Sequence, residues 1–447
     1  MNAGPDADHR SNRRFAWAVL GITLAAWLLR EYFVIVTVVD TPIRGDARDY
    51  LSYALNMLRH GVFSHMGPWT DSPVPDAYRG PGYPAFLAVW IWLDPVRWYA
   101  FALHAQAVAG ALTVAATTLL ARHWLRPGWA LAAGALACVW PHHVAATINL
   151  LSEVLFGFLL ALALLLSAIA LGRRSLLPAL ASGVAFSLAA MTNPVSLPFA
   201  LFMALVYRRE RLPRAGLALL VFALLGPALW GLRQVPAQPT PEPGRIAMNL
   251  VQGSWPEYHA AYKARQDPAA SAILEAIGSE ERLFAADPAA GLDHVATRLA
   301  KTPARAVAWY LLQKPYLLWD WDIRMGAGDV YFHPPIHSPL ETNGVLHLVK
   351  RSLHSLNPLV FALSAIASVV LLAGWLARAP WAHPAAVTVA GFCVFVTAVH
   401  VVFQAEPRYA VAYRPMQMTM LATALSALAC AIRERWTART RQIPPKT

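Results

Sequence analysis

Asp46, Asp49 and Tyr50 head an amphipathic stretch, and the turn Tyr78-Arg79-Gly80-Pro81-Gly82-Tyr83-Pro84 follows it. The local pattern at Asp46 alone favours a helix N-cap with an acid in the first turn. At a water–lipid boundary the same carboxylate can act as a general base, because partial desolvation raises its proton affinity. Arg79 carries a planar fork that matches phosphate oxygens, and it equally suits a basic anchor at a headgroup layer. Glu153 sits one turn into an otherwise apolar run, and Glu406-Pro407-Arg408-Tyr409 with Arg414 adds two further cations. One acid to take a proton, with guanidiniums to neutralise a departing phosphate, is a set suited to group transfer from a phosphate-linked donor.

Composition says where these residues must work. Of 447 residues 57% are hydrophobic and only 14% charged, with 17 Trp, the balance of an all-α polytopic membrane protein. The net charge of +12 does not point to nucleic acid, since the excess lies in short runs beside apolar spans. Cys138, Cys393 and Cys430 fall in apolar stretches without metal-ligand spacing and read as small core residues. The N-terminal segment lacks a small-residue cleavage site, so the first helix reads as retained.

A window of about 20 residues gives roughly ten spanning segments. The first covers 15–39; Asn193-Pro194 breaks a short hairpin; the last three cover about 357–377, 384–403 and 413–432. Basic clusters at 10–14, 122–126, 173–174, 208–211 and 433–446 all fall on one side, so both termini are expected in the cytoplasm. Three regions follow: a membrane module at 1–234 with a first external loop at 40–99, a cap at 235–356 opened by PAQPTPEP, and C-terminal helices and tail at 357–447. Short amphipathic helices are expected in the cap around 269–287 and 303–318.

This topology sends the unusual polar residues to the opposite, external face: Asp46, Asp49 and Arg79, then His142, His143, Asn149 and Glu153, then Asn193, then Glu406, Arg408, Tyr409 and Arg414. Leu51, Leu55, Leu58 and Val62 share one face after Asp46, as in a helix lying flat on the bilayer. His142-His143 lacks partners at metal-ligand spacing. Arg30-Glu31 reads either as an intramembrane pair or as the end of the apolar span. Trp319-Asp320-Trp321-Asp322 suits a sugar platform or an interfacial aromatic belt. No Gly-rich nucleotide fingerprint follows a strand, which disfavours a soluble nucleotide-sugar donor.

Asp46 to Tyr50 as Asp-x-x-x-Tyr, the RGPGYPAFLA turn, LLSEVLF at 150–156 and EPRY before the last span together resemble the GT-C superfamily. More narrowly they are similar to bacterial membrane enzymes grouped with protein O-mannosyltransferases and lipid A aminoarabinose transferases. The likeness spans most of the membrane portion and is strongest from about 15 to 200. It implies a GT-C-like fold of about ten transmembrane helices with interfacial helices and a small external cap, in a bacterial inner membrane. It also implies inverting transfer of a sugar from a polyprenyl-phosphate donor to a lipid, glycan or protein hydroxyl. Asp46 would then be the base, Glu153, Asp49 and Tyr50 would orient substrate, and Arg79, Arg408 and Arg414 would hold the donor phosphate. Relatives often carry Asp-Glu where this chain has Asp46-Ala47, so Asp49 equally suits a capping-box partner, and a divalent ion, Mg or Mn, stays open. Asn193 stands where relatives often carry a basic residue and takes no phosphate role. The main rival is a multi-pass transporter or flippase for a lipid-linked sugar or other amphipathic solute, which would place polar residues at the bilayer midplane.

Overall fold

In a bilayer every main-chain N–H and C=O must be satisfied within its own segment, so long apolar runs close into helices. The computed structural model describes residues 5–234 and 244–441, and they are mostly helical. Among them, seven helices are long and apolar enough to cross a membrane: Asn12–Val36, Trp98–Ala121, Glu153–Arg173, Pro213–Arg233, Gly344–Leu376, Pro384–Val402 and Pro407–Thr437. Pro127–Val139 and Pro141–Ile148, bent by 51° where Pro141 lacks an amide donor, make an eighth if they count as one span.

The ten expected spans are therefore reduced. The break at Asn193-Pro194 is present, with the Asn193 side chain accepting the Val195 amide. The flanking helices Leu176–Thr192 and Phe199–Arg209 have 17 and 11 residues. At 1.5 Å per residue they reach only about 26 and 17 Å, short of a ~30 Å hydrocarbon core. The expected loop at 40–99 contains a 12-residue apolar helix, Gly82–Leu93, that the sequence reading missed. The helix Gly344–Leu376 also runs unbroken through position 356. PAQPTPEP lies outside the described residues.

Close approach of small residues lets the helices interlock. A Cβ on Gly183, for example, would sit 2.6 Å from the Leu219 carbonyl oxygen of the neighbouring helix Pro213–Gln234. The largest core cluster joins Phe156, Leu160 and Leu164 to Phe186, Phe199, Phe392 and Tyr413. A two-stranded antiparallel ribbon, Val38–Val39 with Pro335–His337, ties the end of the first helix to the segment before Gly344. The cap helices Arg245–Gly253, Tyr258–Lys263, Pro268–Ala286 and Pro288–Ala300 share a small core of Val251, Tyr258, Ile277 and Val295. Pro303–Ala308 and Lys314–Leu318 flank a π-helical turn, Trp309–Gln313, so both amphipathic segments expected in the cap are present.

The RGPG turn has a packing reason for its glycines. A Cβ on Gly80 would overlap the Met191 carbonyl, and one on Gly82 would lie 2.8 Å from the Thr192 amide nitrogen. The turn is thus seated on the end of Leu176–Thr192, and Arg79 is carried with it. Gly82→Ala is expected to lower stability by about 1–3 kcal/mol. Thermal unfolding in detergent would show an earlier midpoint; an unchanged midpoint would mean that the turn can lift from the helix end.

Candidate functional site

The helix Asp46–His60 begins after Gly45, which sits at φ 50° and makes no side-chain cap bond. Neither Asp46 nor Asp49 serves as its cap; both carboxylates turn to arginines. Arg79 Nη2 donates to Asp46 Oδ1 at 2.5 Å and to Asp49 Oδ2 at 2.7 Å. Arg408 Nη2 donates to Asp46 Oδ2 at 2.5 Å, and its Nε donates to Glu153 Oε1 at 2.8 Å. Three carboxylates and two guanidiniums thus form one chain, Asp49–Arg79–Asp46–Arg408–Glu153. Glu153 is the first residue of its helix, where the positive end of the helix dipole favours a carboxylate, and is not one turn inside.

Within this chain the acids are the more open members: the Asp46 and Asp49 side chains are 29% and 26% exposed, against 5% for Arg79. Burial pushes the Asp46 carboxyl up, but Arg408 and then Arg79 outweigh it and hold the group well below the usual carboxylate range. That is the reverse of the raised proton affinity expected from sequence, because two cations touch the carboxylate. Arg44 Nε donates to His333 Nδ1 at 3.0 Å nearby. Burial, with Arg44 and Arg408, brings His333 down to about 4, so its imidazole is neutral near pH 7.

A second acid explains how Arg79 is aimed. Buried Asp76 accepts from the Tyr53 hydroxyl, from the His65 amide at 2.8 Å and from the Tyr78 amide at 3.1 Å, pinning the segment that ends in Arg79. The Arg79 guanidinium lies over the rings of Tyr50 and Tyr78 at 5.1 and 5.2 Å. Tyr50 is itself buried, and its hydroxyl donates to Ser152 Oγ at 3.3 Å, so it braces Arg79 and joins the first loop to the start of the Glu153 helix. Arg408 rests on the Phe332 ring at 5.3 Å.

Arg414 does not join this site. It is fully buried, with Nη1 donating to Asn357 and Gln417 and Nη2 to the carbonyls of Trp319 and Asp320 at 3.0 and 2.6 Å. It ties the last helix to 319–320 and is withdrawn from the phosphate-binding set. Trp319 and Trp321 are buried too, which removes them as a sugar platform. His142 Nε2 meets the Trp321 carbonyl, while His143 Nδ1 lies 2.7 Å from Arg30. Arg30 and Glu31 are not a pair: Arg30 binds the carbonyls of Ala26 and Cys138, and Glu31 lies 2.6 Å from His104. Asn149 donates to the Ala145 carbonyl, and Tyr409 to Gln404. Buried Glu406 accepts the Arg324 and Met325 amides. Cys138 and Cys393 are buried as expected, but Cys430 is exposed on the last helix.

The sequence reading missed Arg245. This exposed first residue of the helix Arg245–Gly253 lies over the Tyr78 ring at 5.7 Å and is near enough to stabilise the Asp46 carboxylate. Among the described residues no carboxylate makes an ion pair with it. Its signal was weak, being one arginine just past a Pro-rich linker. As for a divalent ion, Asp46, Asp49 and Glu153 each face a guanidinium, and among the described residues no three His, Cys, Asp or Glu converge. The donor set does not fit Mg or Mn in this arrangement.

No family model and no curated protein matches the chain. Solved structures do. An oligosaccharyltransferase of Archaeoglobus fulgidus, in a complex with Zn and sulfate, superposes with a TM-score of 0.50 at 14% identity, over 94% of this chain and 50% of that one. AglB, an oligosaccharyltransferase from the same organism in complex with an inhibitory peptide and a dolichol-phosphate, gives 0.48 at 14% identity, over 97% and 52%. ArnT from Cupriavidus metallidurans, bound to undecaprenyl phosphate, gives 0.36 at 15% identity, over 86% and 76%. The chain spans about half the length of the oligosaccharyltransferases it matches. What is shared with the first of these, at 14% identity, is a polytopic helical fold and no more.

Proposed function

We propose that the chain is an inverting membrane glycosyltransferase that moves a sugar from a polyprenyl-phosphate carrier to a hydroxyl of a lipid, glycan or protein. The observation that carries this reading is the accessible Asp46 carboxylate, gripped by Arg79 and Arg408, with Arg245, which no described carboxylate pairs, beside it. Basic residues at 122–126, 173–174 and 208–211 fall at the opposite helix ends, so the positive-inside rule puts Asp46 on the external face. One face gathers this polar chemistry, which favours transfer over transport.

The resting site holds its base in an inactive form. An aspartate bonded to two guanidiniums is a poor proton acceptor, and a phosphate is a better partner for those forks. Donor phosphate drawing Arg79 and Arg408 away, with help from Arg245, would raise the proton affinity of Asp46. The acceptor hydroxyl then attacks the anomeric carbon while Asp46 takes its proton. The bond from that carbon to the phosphate oxygen breaks on the opposite side, its electron pair leaves with the phosphate, and the guanidiniums neutralise that charge. Polyprenyl phosphate and the inverted glycoside are the products. Glu153, bonded to Arg408, returns that arginine to Asp46 once the product leaves.

The direct test is mass spectrometric detection of polyprenyl phosphate released from a panel of polyprenyl-phosphate sugars with mixed membrane acceptors. Wild type should release it, and Asp46→Asn should fold but turn over roughly 10²–10⁴-fold more slowly. Release of a pyrophosphate lipid would indicate a ligase or polymerase instead, and no release from any donor would sink transfer in favour of transport. Arg245→Ala should raise the donor KM roughly tenfold, the size of one charge-assisted bond, without moving the unfolding midpoint. Arg414→Ala should instead lower that midpoint, because it leaves buried carbonyls unbonded; the opposite pattern would reinstate Arg414 as a donor ligand. In pH profiles the acid limb of kcat should lie at higher pH than that of kcat/KM, since Asp46 is depressed only while the arginines hold it. Coincident limbs would show that donor binding does not release the base.

A further inference from the structure

Arg408, which bonds Asp46, and Arg245, near enough to stabilise it, come from distant parts of the chain, and one buried ammonium stands between their supports. Lys314 is fully buried, directly after the π-helical turn Trp309–Gln313. Its Nζ donates to the Gly253 carbonyl at 2.9 Å and to the Phe403 carbonyl, and it lies over the Tyr310 ring at 4.5 Å. Gly253 ends the helix that begins with Arg245, and Phe403 opens the loop that leads to Arg408. The indole of Trp309 donates to the same Gly253 carbonyl at 2.9 Å. The backbones meet so closely that a Cβ on Gly253 would overlap the Phe403 carbonyl.

The loop is fastened at its other end as well. Glu406, two residues before Arg408, is fully buried; Oε1 accepts the amides of Arg324 and Met325 at 2.8 and 3.1 Å, and Oε2 lies 3.2 Å from His259 Nε2 of the cap. His400 Nδ1 meets the Gln404 carbonyl at 2.8 Å, and the Tyr409 hydroxyl donates to the Gln404 side chain at 3.0 Å. A buried lysine that no described carboxylate pairs is costly: burial brings Lys314 down to about 7. An apolar side chain would avoid the cost of burying the charge but would take the donor away from the Gly253 and Phe403 carbonyls. What the ammonium adds is direction, because its donors hold two carbonyls from different segments at one point.

We propose that Lys314 and Glu406 are positioning residues that set Arg245 and Arg408 at a fixed separation across Asp46, so that a lipid phosphate is gripped from both sides. The inference rests on the donor reading above, and two readouts separate them. Hydrogen–deuterium exchange over 403–410 reports the junction, and binding of undecaprenyl phosphate to the full chain in detergent reports its consequence. Lys314→Met should speed exchange across 403–410 and weaken binding about tenfold. Gly253→Ala, which keeps the lysine and pushes on Phe403, should do the same if Lys314→Met fails to fold. Lys350→Met is the comparison: Lys350 is also buried but is bonded to Asp329 and Glu341, and its loss should leave 403–410 exchange and undecaprenyl phosphate binding unchanged. Equal effects of Lys314→Met and Lys350→Met, or exchange over 403–410 that neither junction variant alters, would overturn the positioning role. Loss of order at 403–410 in a protein whose wild type binds no undecaprenyl phosphate would support the junction and overturn the donor reading.

Discussion

Arg408 reaches two carboxylates far apart in the chain, Asp46 at the start of the helix Asp46–His60 and Glu153 at the start of a span, and most of the site's architecture exists to let it do so. A guanidinium can serve both because its Nε and Nη2 point in fixed directions, a geometry that a lysine does not supply. Such a linkage costs desolvation and is stable only when every charge meets its opposite. Here the linkage alternates in sign from Asp49 through Arg79, Asp46 and Arg408 to Glu153, and the one close pair of like charges, Asp46 and Asp49, shares the Arg79 Nη2 between them. That alternation also makes the site responsive. An anion arriving from outside competes for the arginines, and each guanidinium it takes alters the proton affinity of the acid left behind.

The surrounding bundle supplies rigidity by a different means. Arg30, Arg414 and Lys314 are all fully buried, and each is bonded to main-chain carbonyls and not to a carboxylate. Carbonyls at helix ends and bends lack intrahelical partners, so a long cationic side chain can close them off. Cys138 shows the logic: its carbonyl lies just before the bend at Pro141 and accepts from Arg30 of the first helix. These three interior cations cap carbonyls, whereas Arg79 and Arg408 at the site pair with carboxylates.

Much of this was legible in the sequence. Asp46, Asp49, Arg79, Glu153 and Arg408 stood out because charged residues beside apolar runs are costly, and the structure brings all five together. Their pairing was not legible, since it depends on how loops from separate spans fold back, and so the depressed proton affinity of Asp46 was expected in the wrong direction. Arg414 misled because it follows Arg408 by only six residues; the short turn Val411–Tyr413 and the helix that follows carry it into the interior. Arg245 was overlooked because one arginine after a Pro-rich stretch has no local pattern. The span count fell for a physical reason as well: the break at Asn193-Pro194 was legible, but not that the helices on either side of it are only 17 and 11 residues long.

The buried Arg30 carries a consequence for how the chain is made. Its partners, the Cys138 carbonyl and His143, are synthesised more than a hundred residues after it. When the first helix meets the bilayer its guanidinium therefore has only the Ala26 carbonyl of its own helix, and an arginine six residues inside the end of a span is still costly to insert. The Pro127–Ile148 segment completes the first helix's environment, so the early chain gains a settled place in the membrane only when this segment arrives. Biogenesis of this protein thus has an order written into one side chain, with the first helix provisional until the bent segment has been translated.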